Sequence, residues 1–411
     1  CGSRSGTNPS MPSGASEYLT LASEEECRGA GLPTVWFYYA GVSSLLGWNL
    51  VLTFTKVFDD DILPKDNWAF WCPLCYTVSV NFAQLALTSR RLLDRVPFGL
   101  RWNAGSIGSG AGMFGLLLCA RLTTSGSEAS GFFWALASTC LLAAGTAAFQ
   151  SSSFGMAGAI SPKLLEAVML GQGLAGVAAG IVGYTFGNEA ALAPSFCICV
   201  AVSLLGPAVY KWGLEPNAHV RIRLAPSSAA TGLARELSTP TQPRSSLQIL
   251  RENAWPQALT VFLVFAVTFS VFPGVTSKWR PESRVSWFIA TFQLLDVVGR
   301  AAPQVPRLCI TRGWVVSVLA VLRLVFIPAF ILIQRLPDDV VGSVWLQYPM
   351  MAAFAFSNGY VSTLSMRLGP SQAGIDRSEQ EAVGVMMSLF LVFGMFVGSL
   401  VALPTQLGVT E

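Results

Sequence analysis

Two opposite charges stand four residues apart inside an otherwise apolar stretch of the chain. Asp296 and Arg300 share one face of the predicted helix, and Gln293 lies within a turn of Asp296 beside them. A charge near the centre of a bilayer costs roughly 2.5 to 3.5 kcal/mol on insertion scales, so the pair must face protein or a water-filled cavity. Two interpretations stay open: a salt bridge that only locks helices together, or a polar stripe that contacts a substrate, which the amide of Gln293 favours.

A second group of hydrogen-bonding side chains interrupts another apolar stretch. Gln150 is followed directly by Ser151, Ser152 and Ser153. An amide can both donate and accept a hydrogen bond, as the edge of a heteroaromatic base requires. Serine side chains can instead bond to the preceding turn of their own helix. The segment therefore fits both ligand contact and internal packing.

Two further polar or aromatic side chains fall within apolar stretches. Trp48 and Asn49 lie in mid-helix, away from the membrane interface where Trp is usually found. A buried flat ring beside polar groups suits either stacking on a planar ligand or packing in a core. Arg323 is another cation in an apolar segment, and the sequence does not identify its partner.

The elements that position these residues are predicted to be membrane-spanning helices. The chain has 411 residues, of which 52% are hydrophobic and 12% charged, against roughly 25% charged in an ordinary soluble domain. A helix crosses the hydrocarbon core with about 20 mainly apolar residues. The sequence therefore predicts an all-α membrane protein with eleven transmembrane helices. They are predicted at 34–57, 69–92, 101–122, 131–161, 168–187, 192–213, 255–275, 284–304, 313–335, 342–366 and 381–403.

A long polar segment at 214–254, rich in Pro, Ser, Thr and Arg, divides these spans into a bundle of six at 34–213 and a bundle of five at 255–403. Residues 1–33 are polar and lack the pattern of a signal peptide. Most of the 26 lysines and arginines fall on the side of residues 1–33 and 214–254. By the positive-inside rule both segments are cytosolic, which places residues 404–411 outside.

Several classes of function are disfavoured by what the chain lacks. It has one histidine, His219, in a polar loop, which leaves few ligands for a metal and no basis for a catalytic cluster. Residues 171–176 match the GxGxxG pattern but follow no strand, so they are interpreted as a small-residue face for close helix packing. The basic residues form no dense patch for nucleic acid. We predict no metal, no cofactor, no nucleic-acid partner and no enzymatic activity; a membrane receptor and a membrane-embedded enzyme are competing hypotheses.

Taken together in this order, the apolar segments and their polar interruptions resemble the equilibrative nucleoside transporter family over nearly the whole chain. The segments that carry the resemblance are Gly47-Trp48-Asn49, Phe149-Gln150-Ser151, residues 171–176, Phe272-Pro273-Gly274-Val275, residues 292–300, residues 322–328 and residues 354–360. Two departures matter. Gly47 stands where many members have Pro, and the loop at 58–68 is short, as in protist members.

The resemblance implies a major-facilitator-like fold of six plus five helices and a set of substrate contacts. Asp296 and Arg300 are expected to contact the nucleoside, Gln150 the base, and Trp48 to line the central cavity. Weaker expectations from the resemblance are Leu45, Leu52, Ser79, Phe82, Gly171, Gln293 and Met395.

The activity that the resemblance implies is facilitative transport of nucleosides by alternating access, with nucleobases as a second candidate class of substrate. The expected partners are the small-molecule substrate and the lipid bilayer, with the protein a monomer in the plasma membrane. The alternative is a proton-coupled symporter. Asp296 is the only carboxylate deep in a predicted span, and its neighbour Arg300 balances its charge, which favours transport without obligatory proton coupling.

Overall fold

A computed structural model describes residues 31–64, 67–89, 93, 95–123, 128–186, 189–224, 244–335 and 344–407. The described chain is helical, and its long helices follow one another with short connections. The first six are α1 Thr34–Thr53, α2 Trp68–Leu87, α3 Phe98–Thr123, α4 Glu128–Ile160, α5 Pro162–Phe186 and α6 Glu189–Leu204. The others are α7 Trp255–Val271, α8 Val285–Ala301, α9 Gly313–Leu322 continuing as Phe326–Arg335, α10 Val344–Leu368 and α11 Gln380–Leu407.

Nine helical segments of the described chain are long and apolar enough to cross a membrane. They correspond to α1 to α7, α9 and α11 with their helical extensions. The remaining two, α8 and α10, contain buried charged or amide side chains. The protein is therefore an integral, multi-pass membrane protein, as the sequence predicts.

The helices pack in neighbouring pairs. α1 lies on α5 and α3 on α4, while α7 lies on α11 and α8 on α10. The first six helices share one large apolar core, to which the start of α7 and parts of α11 also contribute. Two smaller cores lie among α7 to α10.

The end of α7 follows from its sequence. The helix stops at Val271, and Phe272 takes an extended conformation with φ −118° and ψ 134°. A residue before proline is pushed out of the helical region by the proline ring, so Pro273 ends the helix. Phe272-Pro273-Gly274, one of the segments that carry the family resemblance, thus lies just beyond the end of α7.

The segment between α6 and α7 contains helical turns near both of its ends, although its composition predicts a loop. A helix spans Ala218–Leu224, and helical turns at Ser246–Ile249 and Leu250–Ala254 lead into α7. Arg244 anchors this start because its guanidinium bonds Glu379 Oε1 at 2.9 Å and Glu252 Oε2 at 3.0 Å. Both carboxylates raise the pKa of Arg244 above its already high value. The rest of the predicted loop, residues 225–243, lies outside the described residues.

Candidate functional site

Asp296 and Arg300 form the predicted pair on one face of α8. Arg300 Nε donates to Asp296 Oδ2 at 2.6 Å, and the two residues are 6% and 4% exposed, respectively. Burial of both charges fits the requirement that they avoid lipid. The pair points inward, toward α5 and α10.

A buried amide on α10 completes the hydrogen bonding of the Asp296 carboxylate. Asn358 Nδ2 donates to Asp296 Oδ1 at 2.7 Å, and Thr268 Oγ1 on α7 donates to Asn358 Oδ1 at 2.6 Å. Each carboxylate oxygen therefore has its own donor. Asn358 was not among the predicted site residues, although an amide within an apolar span was a usable signal.

Arg323, whose partner the sequence did not identify, joins the same cluster. Its Nη2 donates to Thr268 Oγ1 at 2.8 Å, and its Nη1 donates to the carbonyl of Phe354 at 2.9 Å and to Ser357 Oγ. The guanidinium also lies over the ring of Phe354, 5.0 Å from its centroid. A cation that is 2% exposed is thereby surrounded by acceptors and an aromatic face. We call Asp296, Arg300, Asn358, Thr268 and Arg323 the polar cluster; it joins α7, α8, α9 and α10.

Glycines on α5 give this cluster room to approach the first group of helices. A Cβ at Gly173 would lie 2.9 Å from Arg300 Cδ, and a Cβ at Gly176 would collide with Gln293 Oε1. Arg300 Nη1 donates across this contact to the carbonyl of Met169 on α5 at 3.0 Å. Close helix approach at the GxGxxG segment is what the sequence predicted; Gly171 itself lies where α5 crosses α1.

Gln150 contacts α11. Its Nε2 lies 3.2 Å from Ser388 Oγ, which also accepts from Gln84 Nε2 on α2 at 2.9 Å. Ser151 donates to Gln84 Oε1, so the amides of α2 and α4 meet α11 at one buried point. Ser152 and Ser153 bond to carbonyls of their own helix, as expected for packing.

Trp48 is buried against Tyr76 of α2. The two rings are stacked with centroids 3.8 Å apart and an angle of 11° between their planes. Trp48 is 7% exposed, so Tyr76 covers one of its faces in this conformation. Tyr76 was not among the predicted site residues.

The weaker candidates are scattered around this centre. Leu45 and Met395 pack, partly buried, against the large core, and Ser79 is partly buried on α2. Leu52 is 43% exposed and Phe82 is 71% exposed. Phe82 does not face the buried contact of Gln84 with α11, because the two residues lie about 200° apart around α2.

Further polar contacts tie the early helices to the late ones at one end of the bundle, the end where α1 begins. Arg101 on α3 forms an ion pair with Glu381 on α11, and Glu166 on α5 pairs with Arg367 on α10. Tyr38 Oη donates to Gln304 Oε1 at 3.2 Å. These contacts close that end of the interface between the two groups of helices.

The sequence is similar to those of several known transport proteins. The model of the nucleoside transporter family matches residues 217–406. Adenosine transporter 1 of Crithidia fasciculata is 32% identical over 39% of this chain and 33% of its own length. Human equilibrative nucleoside transporter 1 is 27% identical over 89% of this chain and 95% of its own length. The chain is therefore similar to equilibrative nucleoside transporters over most of its length.

The equilibrative nucleoside transporter resemblance predicted from the sequence is therefore confirmed, including its protist side. These homologues are transporters, which argues against an enzyme. The fold is similar to that of a major facilitator superfamily transporter, FucP, whose outward conformation superimposes with a TM-score of 0.55 and 12% identity over 92% of each chain. The chain spans only a third of the length of the Crithidia relative in that alignment.

Proposed function

We propose that this protein is a facilitative transporter of nucleosides, and of nucleobases, that works by alternating access. The observation that carries the proposal is the buried Asp296–Arg300 pair, which sits on α8 while Arg300 reaches the backbone of α5 in the other group of helices. A charged pair between two groups of helices can bind a polar substrate, and its contacts change when the two groups move relative to each other. The names of the homologues supply the substrate class.

Arg300 is proposed as the main contact to the ribose. A guanidinium has five N–H donors in a planar fork, and the bonds of Nε to Asp296 and of Nη1 to Met169 leave others for ribose hydroxyls. The Asp296 carboxylate holds the Arg300 guanidinium in place. It accepts a hydrogen bond from the substrate when Asn358 or Arg300 releases one of its two oxygens.

Gln150 is proposed to bind the edge of the base, and Trp48 its face. Both are buried in the described conformation, Gln150 against Ser388 and Trp48 against Tyr76. Substrate contact therefore requires the amide to leave Ser388, or to use its second hydrogen and its carbonyl. Gln293, Leu45, Leu52, Ser79, Gly171 and Met395 are proposed as the surrounding wall, whereas Phe82, which is 71% exposed, is left out of it.

Alternating access is proposed to proceed by breaking the contacts that close the end where α1 begins. Arg101–Glu381 and Glu166–Arg367 link side chains across the interface, whereas Asp296–Arg300 lies within α8. Rocking of the two groups of helices can therefore separate the first two pairs and leave the third intact.

The proposed topology has eleven spans, six plus five. α8 and α10 join the nine apolar helices, because their polar side chains bond inside the protein and their partner helices cover them. We place residues 1–33 and 214–254 in the cytosol, residues 404–411 outside, and the monomeric protein in the plasma membrane. A Cys introduced at Ser228, outside the described residues, should resist impermeant maleimide added to intact cells. Labelling of this Cys would contradict the proposed topology.

The decisive experiment is uptake of labelled nucleosides and nucleobases into proteoliposomes that contain only this protein. A facilitative transporter equilibrates at least one of these substrates, and a second, unlabelled substrate placed inside accelerates the exchange. Saturable binding with no flux would favour a receptor, and chemical conversion of the substrate would favour an enzyme. Either outcome contradicts the proposal.

A further inference from the structure

A cavity of about 430 Å³ lies between α7 and α9, away from the polar cluster. One end is lined by polar groups, namely Gln257, Ser317 and Gln372 with the backbone of Gly313. The other end is apolar and includes Leu263. None of its lining side chains is charged. From Gln257 to Leu263 the helix rises about 9 Å, so the cavity changes from polar to apolar over that length.

The polar end holds an unsatisfied acceptor. Gln257 is 1% exposed, and its Oε1 has no hydrogen-bond partner among the described residues. A buried acceptor without a donor costs about 1 to 3 kcal/mol, so such a group is normally paired. Its Nε2 faces Gly313, where an added Cβ would lie only 2.6 Å away. The absence of a side chain at Gly313 thus lets this amide pack directly against the start of α9.

The mouth of the cavity faces the bilayer near its surface. Trp255 and Trp314, which flank the polar end, are 53% and 66% exposed. Exposed tryptophans of membrane proteins concentrate at the level of the lipid headgroups. Leu259 and Val321, deeper along the same wall, are 49% and 55% exposed and face the acyl region. The cavity therefore begins at the interface and runs inward.

We propose that this cavity binds a neutral lipid of the sterol class, whose hydroxyl donates to Gln257 Oε1 and whose ring system lies against Leu259, Leu263 and Val321. The uncharged lining excludes an anionic headgroup as the preferred ligand. Its volume is at the lower end of the roughly 300 to 1,000 Å³ of small-molecule sites, which suits one compact body better than two flexible chains.

Such a ligand would brace two helices of the polar cluster. Thr268 on α7 and Arg323 on α9 lie beyond the apolar end of the cavity. Beside the cavity, the same two helices are joined by a hydrogen bond of 2.8 Å between Thr260 Oγ1 and Ser317 Oγ. Occupancy would hold α7 and α9 together without touching the substrate. The inference goes beyond the proposed transport activity and does not depend on the identity of the nucleoside.

The test uses the purified full chain in phosphatidylcholine vesicles with a diazirine analogue of cholesterol. Irradiation followed by peptide mass spectrometry should place label on residues 255–263 and 313–321, and an excess of unlabelled cholesterol should remove it. Gln257→Leu deletes the acceptor, and Gly313→Ala displaces the Gln257 amide, because the added Cβ would lie 2.6 Å from its Nε2. Each should lower labelling there by about fivefold, the effect expected for one lost hydrogen bond.

The matched control is Gly180→Ala, because an added Cβ at that position meets nothing within 4 Å. It should label like the wild type. Gel filtration and nucleoside uptake are measured in parallel, so a misfolded variant is recognised and a failure of transport is distinguished from a failure of lipid binding. The inference is overturned if cholesterol does not compete in the wild type. It is also overturned if a diazirine phosphatidylcholine labels the same peptides equally, or if Gln257→Leu labels like Gly180→Ala.

Discussion

Asn358 Nδ2 donates to Asp296 Oδ1 at 2.7 Å, so an amide on α10 fixes the carboxylate that holds Arg300. Asn358 is itself fixed by Thr268, which receives a bond from Arg323. The direction of the Arg300 guanidinium is therefore set by residues of three other helices. Side chains that lie behind the proposed substrate contact should matter for transport although they need not touch the substrate.

Replacing Asn358 with Leu should raise the half-saturation concentration for nucleoside uptake by about tenfold, since an unsatisfied buried carboxylate oxygen loses roughly 1 to 3 kcal/mol of hydrogen bonding. Initial rates over a range of nucleoside concentrations measure it. The control is Ser362→Ala on the same helix, whose hydroxyl is buried and donates to the carbonyl of Gly359 in its own helix. If Asn358→Leu lowers only the maximal rate, in proportion to the amount of folded protein, the positioning role is wrong.

Arg300→Lys should nearly abolish uptake while the protein still inserts into the membrane. Arg300 bonds Asp296 through Nε and the carbonyl of Met169 through Nη1. An ammonium is a point charge and cannot reproduce this planar fork. Arg335→Lys, at the exposed end of α9, is the control and should transport normally. Normal uptake by Arg300→Lys, at equal surface expression, would show that charge alone is sufficient.

Gln150→Ala and Ser388→Ala together separate ligand binding from closure. Gln150 Nε2 lies 3.2 Å from Ser388 Oγ, so either substitution removes this contact between α4 and α11. Only Gln150→Ala also removes the proposed base contact. Its half-saturation concentration for a purine nucleoside should rise by about one to two orders of magnitude, and that of Ser388→Ala should change far less. Equal effects would assign Gln150 to closure instead of substrate binding.

Charge reversal tests the proposed cytosolic closure. Arg101→Glu and Glu381→Arg each place like charges together at an ion pair whose arginine side chain is 4% exposed. Each single variant should lose most of its uptake, and the double variant should recover it, with a coupling of about 0.5 to 3 kcal/mol between the two sites. The initial uptake rates of all four proteins complete the cycle. Additive losses would mean that the two residues do not act as a pair.

The sequence predicted the parts of this protein that depend on local pattern. Long apolar stretches give helices, and the spacing of four places Asp296 and Arg300 on one face. Glycines at 173 and 176 indicated close packing, although not that they accommodate Arg300 and Gln293.

Partners contributed by distant helices could not be predicted in the same way. Asn358 lies 62 residues from Asp296, and Tyr76 meets Trp48 from another helix. In a lipid-exposed bundle nearly every surface is apolar, so hydropathy does not indicate which helices are neighbours. The same reason left Arg323 without a partner until the structure placed Thr268 and Phe354 beside it.

Transport should run on the substrate gradient alone, without obligatory proton coupling. A proton-coupled carrier generally needs an intramembrane carboxylate that can gain and lose a proton during its cycle. Asp296 has Arg300 on one oxygen and Asn358 on the other, and both are donors. Protonation of Asp296 would remove an acceptor from one of these bonds and leave a buried guanidinium without its counter-charge.

The measurement is initial uptake into proteoliposomes with equal pH on both sides, and then with an inward proton gradient of about two units, which is worth about 2.7 kcal/mol per proton. A protonophore is added in a parallel series. We expect the same equilibrium distribution of nucleoside in every case. If the gradient drives accumulation above equilibrium and the protonophore abolishes it, Asp296 becomes the first residue to replace, and the symporter alternative is correct.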